Sequence, residues 1–320
     1  MVDRLNIKLK RIRKVLITGG LGFLGSHISK LLIKKKKKVV VYDDLTRGKK
    51  INIETKKNIK IIIGDINNKK KLKKSLTGID TVIHCAAING TKNFYSKPID
   101  VLNVGVLGIF NLLEACRENK VKNFFLASSS EVYHLPNKIP TDENVKLSIP
   151  NVFNPRYSYA GSKIISELIT IHFGKKYFKK TIIFRPHNVY GPNSGRDHVI
   201  PELIFKVKQN SKIIRMQGTG SETRSFIHID DFIKAFDIIL KKGKNLNIYN
   251  IGTEERVSII GLLRIIIKEL GYKTKIKKIS LALGGTPHRC PNIKKIKNLG
   301  FVPSIKLKDG IKKILNNHVY

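Results

Sequence analysis

A chain of 320 residues with 41% hydrophobic content can bury a sizeable core, which excludes a disordered or low-complexity class and fits one large or two smaller domains. Its formal net charge of +39, from 62 Lys and Arg against 23 Asp and Glu, would suit a polyanion partner. However, the lysines fall in every segment rather than on one stripe, and no zinc knuckle, RNP sequence or basic-aromatic interleaving accompanies them. Lys, Ile and Asn are abundant together, which fits a coding bias, and the expectation is no specific nucleic-acid partner but a surface that draws in anionic small molecules such as nucleotide diphosphates. Cys85, Cys116 and Cys290 are odd in number and widely spaced, so neither a disulfide framework nor a metal site is indicated, and buried thiols in a reducing cytosol are expected. No apolar run reaches membrane-spanning length and residues 1–13 lack the apolar core of a secretory signal, so they read as a basic leader to a cytoplasmic, non-membrane protein.

In chain order, the apolar run 14-KVLIT-18 enters 18-TGGLGFLG-25, and the helical pattern of Ile28, Leu31 and Leu32 follows. In this strand, turn and helix, Gly19, Gly22 and Gly25 permit a tight turn and close backbone approach to a pyrophosphate. Phe23 and Leu24 open the helix on which that group would sit. A second strand, 39-VVVYDD-44, ends in Asp43 and Asp44, where a dinucleotide-binding unit holds the adenosine ribose hydroxyls. An acid there also repels a 2′-phosphate, so NAD is favoured over NADP; a turn-capping role is the ordinary alternative, more so for Asp44 than Asp43. Strands at 59–66, 80–87 and 123–130 alternate with helical patterns near 69–77 and 100–119. The repeated βα units imply a doubly wound parallel sheet of Rossmann type with ligands at the carboxyl ends of its strands, where Asp65, Ala86, Ala87 and Ser128 fall.

The stretch 156-RYSYAGSKIISELI-169 then places Tyr159 and Lys163 one turn apart on one helical face. An ammonium beside a phenol would draw its pKa down from about 10 towards neutrality, as a base for a sugar hydroxyl needs. Most such pairs are ordinary surface residues, and the upstream cofactor motif is what gives this one weight.

These motifs, in order, resemble the extended short-chain dehydrogenase/reductase family, in particular its nucleotide-sugar epimerase/dehydratase group. The matching pieces are TGGLGFLG, the acid after the second strand, GDI at 64–66, HCAA at 84–87, Asn103, SSSEVY at 128–133, the Tyr159–Lys163 pair and RPHNVYGP at 185–192. They continue through ETRSFIHIDD at 222–231 and NIGTEERVSI at 250–259 to Arg289. The resemblance implies NAD held by the glycine turn and by Asp43, Asp44, Asp65, Ile66, Ala86, Ala87, Asn103, Ser128, Tyr159, Lys163 and Pro186. It further implies a nucleotide-diphosphate sugar held by Ser129, Ser130, Asn188, Arg224 and Arg289; Asn188 could instead cap a turn, and either arginine could be a surface charge. It divides the chain into an NAD-binding domain, 1–190 plus 226–255, and a smaller C-terminal substrate-binding domain, 191–225 plus 256–320. It also implies a homodimer through the helices near 100–119 and 157–175. His134 stands where the group usually has glycine after V-Y.

The implied chemistry is 4-epimerisation: Tyr159 takes the proton of the sugar 4-hydroxyl, Ser129 hydrogen-bonds the same oxygen, Lys163 binds ribose and tunes Tyr159, and hydride passes from C4 to NAD and back to the other face of a 4-keto sugar. Glu131 keeps a lyase open. The group's 4,6-dehydratases carry Asp-Glu where this chain has Ser130-Glu131, while S-S-E-V-Y resembles the T-S-E-V-Y of UDP-glucuronate decarboxylases. Epimerase ranks above decarboxylase, and decarboxylase above dehydratase. A non-catalytic binding protein with a basic surface is the alternative of another class, and precursor supply for polysaccharide or glycan synthesis is the corresponding pathway expectation.

Overall fold

The computed structural model describes residues 12–53, 57–195, 197–209, 212–279 and 285–316; the expected leader, apart from its last two residues, lies outside them. Seven parallel strands form the central sheet: β1 (Lys14–Thr18), β2 (Lys38–Asp43), β3 (Ile59–Ile63), β4 (Thr81–His84), β5 (Asn123–Ala127), β6 (Lys180–Pro186) and, later in the chain, β11 (Asn247–Ile251). Their order is β3-β2-β1-β4-β5-β6-β11. The chain therefore runs outward in one direction from β1 and in the other from β4, and the crevice between these two neighbours is where a doubly wound sheet takes its ligand. The strands stop before the apolar runs do, because the last residues of each run turn out of the sheet into that crevice.

Alternation along each strand sends side chains to opposite faces. Val15 and Ile17 join one core with α1 (Phe23–Lys34), and Leu16 joins another with α2 (Lys69–Ser75) and α4 (Pro98–Glu118). A short α3 (Thr91–Ser96) precedes α4. Pro98 opens α4, where its missing N–H costs nothing. Over Asn103–Gly108 the helix widens into a π turn. There a Cβ on Gly105 would lie 2.6 Å from Ser162 of α5 (Tyr157–Tyr177), and Ser166 donates to the Gly105 carbonyl at 2.7 Å. The missing side chain lets the two helices meet and brings the first turn of α5 over the crevice. At 21 residues α4 is long and apolar enough to cross a membrane by length and composition, which corrects the expectation that no segment reached that length. One side of it, with Ile109, Leu112, Leu113 and Cys116, lies in the core, while Leu102, Leu107 and Phe110 are exposed.

Beyond β6 come β7 (Val189–Tyr190), α6 (Val199–Gln209), β8 (Ile213–Gln217), β9 (Thr223–Arg224), β10 (Ile227–His228) and α7 (Ile229–Lys242). After β11 follow β12 (Val257–Ser258), α8 (Ile259–Leu270), β13 (Lys275–Ile279), β14 (His288–Arg289), α9 (Lys294–Lys297) and α10 (Leu307–Asn316). A separate core joins Ile204, Ile214, Leu262, Ile266 and Ile311, while α7 packs in the first core through Phe232 and Phe236. The tail, which the division at 256 kept whole, is split: Leu307, Ile311 and Ile314 stay with the separate core. Ile293, Ile296 and Phe301 pack in the first core, because α9 lies against β11. The segment carrying Arg289 is thereby tied to the sheet that forms the crevice.

Candidate active site

A cavity of 1030 Å³ opens along the carboxyl ends of the strands and is walled on its far side by the separate core, through Ile200, Leu203 and Met216. Gly19 has φ +63°, and a Cβ on it would meet the Ala86 backbone nitrogen at 2.7 Å; on Gly25 it would strike the Gly19 carbonyl. Only glycine lets the turn close this tightly on β4. Gly22 caps α1 with no side-chain acceptor for the first-turn N–H groups, so Phe23, Leu24 and Gly25 present orphan donors and the positive helix end to the cavity. Asp43 is buried, accepts from Leu21 N and Leu45 N at 2.9 Å each, and still lines the cavity. A carboxylate has about four acceptor positions, so Asp43 keeps acceptor capacity for a hydroxyl beside its backbone partners. Burial raises the Asp43 carboxyl, with the backbone N–H groups partly offsetting it. Asp44 is exposed, lines the same cavity and accepts from Thr46 N at 2.9 Å, so the turn-capping alternative holds for it. This donor and acceptor set fits a dinucleotide.

Ile66, Ala86, Ala87, Ser128, Pro186, Ser129, Ser130 and Asn188 also line the cavity; Asp65 and Asn103 do not. Asp65 is exposed just past the end of β3, where its carboxylate accepts from Asn67 N at 2.8 Å and its carbonyl from the Tyr42 hydroxyl at 2.8 Å, which ties it to the turn after the strand. Asn103 sits exposed at the start of the π turn, and its neighbour Val104 takes the place at the wall. Asn188 has φ +41° and donates to the Ser225 carbonyl at 2.9 Å. His134, at φ +44°, occupies backbone space that glycine enters more cheaply; it is buried with its ring edge-on to Tyr157 at 4.5 Å. Cys85 is half-buried at the cavity wall rather than fully buried, and burial pushes its thiol up to about 12 despite the nearby Lys163.

Tyr159 lies at the centre, stacked on Phe94 with ring centroids 4.8 Å apart. Burial pushes its phenol up to about 12; the Ser129 hydroxyl, hydrogen-bonded to it, draws it back, Glu131 raises it further and Arg47 lowers it. The expectation that Lys163 lowers this phenol is not met. Its ammonium donates to the Ala127 carbonyl at 2.9 Å and lies 5.8 Å from the Tyr159 ring centre, anchored to β5 instead of beside the hydroxyl. Burial lowers Lys163 itself to about 8, partly offset by Cys85 and Glu167.

Glu131 follows in the short turn of helix at Ser130–Tyr133, which Ser129 caps by accepting from Glu131 N at 3.2 Å. Its carboxylate takes two bonds from Arg289, at 2.5 and 3.2 Å. Burial would raise Glu131, but Arg289, Arg156 and Arg224 more than offset this and hold it at about 2. Arg224 is braced on the carbonyls of Thr223, Thr286 and Pro287, and burial together with Arg289 lowers it to about 10. Among the described residues, the Nε groups of Arg156 and Arg289 are buried without a partner. Three guanidiniums against one carboxylate leave an excess of positive charge with unspent donors, which suits a diphosphate.

The sequence reading missed Arg156, although it sits three residues before Tyr159, and Arg47, which donates to the Asn89 carbonyl at 2.8 Å across the cavity rim. It also missed the buried chain behind the site. Ser128 donates to Glu167 at 2.5 Å; Arg185 grips Glu167 through Nε at 2.8 Å and Nη2 at 2.6 Å and donates to the Tyr133 hydroxyl at 2.7 Å; Tyr133 donates to Asn250 at 2.7 Å. Its members Ser128, Tyr133, Arg185 and Asn250 each fall in a motif quoted above, and Glu167 follows Lys163 by four residues, but no spacing in the sequence joins them.

The switch-point crevice, glycine turn and Ser129–Tyr159–Lys163 constellation define a dinucleotide-dependent enzyme of the extended short-chain dehydrogenase/reductase type. The chain belongs to the NAD dependent epimerase/dehydratase family, whose model matches residues 15–252. It is 36% identical over 273 residues to the dTDP-D-glucose 4,6-dehydratase of Dictyostelium discoideum, a match that covers 80% of this chain and 62% of that protein. Among solved structures, it resembles the UDP-glucose 4-epimerase of Thermotoga maritima with UDP-glucose (TM-score 0.86, 25% identity, 95% of this chain and 98% of that one). It also resembles the dTDP-glucose 4,6-dehydratase DesIV of Streptomyces venezuelae with NAD bound (TM-score 0.87, 25% identity, 95% and 96%). The family binds NAD and modifies nucleotide sugars.

Proposed function

We infer that the chain is a nucleotide-sugar 4-epimerase. The observation that carries this reading is the arrangement around Glu131: Ser129 and Tyr159 share a hydrogen bond at the strand ends, while the neighbouring carboxylate is held ionised by Arg289 and the position before it is a serine. Elimination of water requires a group that can give a proton to the departing hydroxyl. A carboxyl held at about 2 is a poor proton donor at neutral pH, and a serine hydroxyl is a poorer acid still.

In the proposed reaction Ser129 orients the sugar 4-oxygen towards Tyr159, whose phenolate takes the hydroxyl proton, becoming the phenol, and later returns it. NAD, when bound, supplies the hydride acceptor at C4 and gives the hydride back. Arg156, Arg224 and Arg289 hold the diphosphate end, and a 4-keto ring has room to turn over in the cavity and take the hydride on its other face. Lys163 braces β5 against α5 and donates to the ribose.

A lyase is the second reading, favoured by Glu131 standing close enough to Tyr159 to act on its phenol electrostatically. Proton NMR in heavy water, with NAD and a panel of nucleotide hexoses and UDP-glucuronate, separates the two. The expected product is a C4 epimer free of solvent deuterium. Deuterium at C5 with loss of water or carbon dioxide would sink the epimerase reading and make Glu131 a working base.

The same reading includes a homodimer paired through α4 and α5, supported by Leu107 at 56% and Leu168 at 58% exposure on these adjoining helices. Leu107→Glu combined with Leu168→Glu is expected to halve the mass seen by light scattering, and an unchanged mass would overturn the pairing.

A further inference from the structure

Lysines that look scattered along the chain are gathered by the fold. In a parallel sheet the strand starts and the helix ends meet on one face, here the face opposite the catalytic cavity. That face is built from residues 13–14, 34–38, 57, 73–80, 117–122, 175–180 and 241–244. These segments hold twenty Lys or Arg against two carboxylates, Asp80 and Glu118, whereas the whole chain carries 62 against 23. The loops are stitched together: Lys38 N donates to the Arg13 carbonyl at 3.0 Å, Lys122 N to Asp80 at 2.9 Å and Lys179 N to Lys122 at 2.8 Å. With strands about 4.8 Å apart, the face is about 30 Å across.

The acids of this face are already engaged. Asp80 accepts from Arg13 N and Lys14 N at 2.8 and 2.9 Å, and Glu118 pairs with Lys73 at 2.8 Å. The nearby Asp237 and Glu114 likewise hold Lys35, Lys241 and Arg117. Lys34, Lys36, Lys74, Lys120, Lys175 and Lys179 stand exposed among them.

We propose that this lysine face docks the protein on an anionic lipid surface, leaving the catalytic cavity turned to solution. A broad end face carrying dispersed point charges matches a plane, whereas a single nucleic-acid strand is held in a groove with aromatic platforms for its bases. The exposed aromatic of these described loops, Tyr177, already carries Arg117 at 5.7 Å and Lys176 at 5.4 Å over its ring, so it offers no open face for stacking. Each lysine near an anionic leaflet adds about fivefold in affinity, and the attraction fades within a Debye length.

The test is sedimentation of the full chain with phosphatidylcholine vesicles with and without phosphatidylglycerol, at low and high salt. The chain is compared with two variants of equal net charge. One carries Lys34→Glu, Lys36→Glu, Lys175→Glu and Lys179→Glu on the face; the other carries Lys275→Glu, Lys277→Glu, Lys278→Glu and Lys306→Glu, exposed positions outside that face on β13 and just before α10, whose Ile276 and Leu307 pack in the separate core. The protein is expected to pellet with phosphatidylglycerol vesicles at low salt and not with phosphatidylcholine alone. The face variant should lose roughly 600-fold or more in affinity, about fivefold for each of four lysines before charge reversal is added, with cofactor binding unchanged, and the second variant should lose far less. Equal losses in both variants, or no binding to phosphatidylglycerol vesicles, would overturn the proposal. So would tighter binding of poly-U RNA than of vesicles through the same face, which would assign it to nucleic acid.

Discussion

Tyr159→Phe is expected to lower kcat by about 10²- to 10⁴-fold, the usual contribution of a positioned general base, with stability and NAD affinity close to wild type. The ring stays stacked on Phe94, and Lys163 keeps its own anchor on the Ala127 carbonyl, so the phenolic oxygen is the one thing removed. Because burial holds the phenol at about 12, the phenolate is scarce at neutral pH and its fraction grows as pH rises. Wild-type kcat/KM should therefore climb from neutrality to about pH 8, where Lys163 begins to lose its charge, and the variant's residual activity should not follow that climb. Steady-state kinetics across this range, with a cofactor titration and a melting curve as controls, decide the matter. Activity within tenfold of wild type would remove Tyr159 as the base.

Local signals made most of the frame legible. Continuous apolar runs and the glycine turn announced the strands and the cofactor crevice, since each depends on neighbours within about ten residues. Asp43 was legible for the same reason. What misled was any inference about where a long side chain ends: Tyr159 and Lys163 do share a helical face, but a carbonyl on β5, a strand remote in sequence, captures the ammonium. Asp65 sat in the right place on the chain, yet it lies outside the cavity lining and accepts from its own turn. The pairing of Glu131 with Arg289 spans 158 positions, and no spacing rule reaches that far. The lysine face is the same lesson at larger scale, because residues spread over more than two hundred positions become neighbours through strand order alone.

Glu167→Ala is expected to cost about 3–5 kcal/mol of folding stability, the penalty for stranding a buried charge, read as a lower urea midpoint with an unchanged slope. Arg185 is 2% exposed and Glu167 3%, and the guanidinium takes both carboxylate oxygens. Burial works against the charge on Arg185 while Glu167 and Tyr133 raise its pKa; a guanidinium does not give up its proton in a protein, so the charge stays when its partner goes. Glu167→Gln should cost less, because the amide still offers one acceptor. The effect should also reach the site. Ser128 loses its acceptor at the cavity wall, and Arg185 is left on the Glu143 carbonyl and on Tyr133, in the turn that carries Ser129 and Glu131. A raised KM for the nucleotide sugar in Glu167→Gln, with near-native stability, would show that the ion pair positions the SSEVY turn as well as supporting the core. A cost below about 1 kcal/mol for Glu167→Ala would mean that water reaches Arg185 and that the pair is no stronger than a surface one.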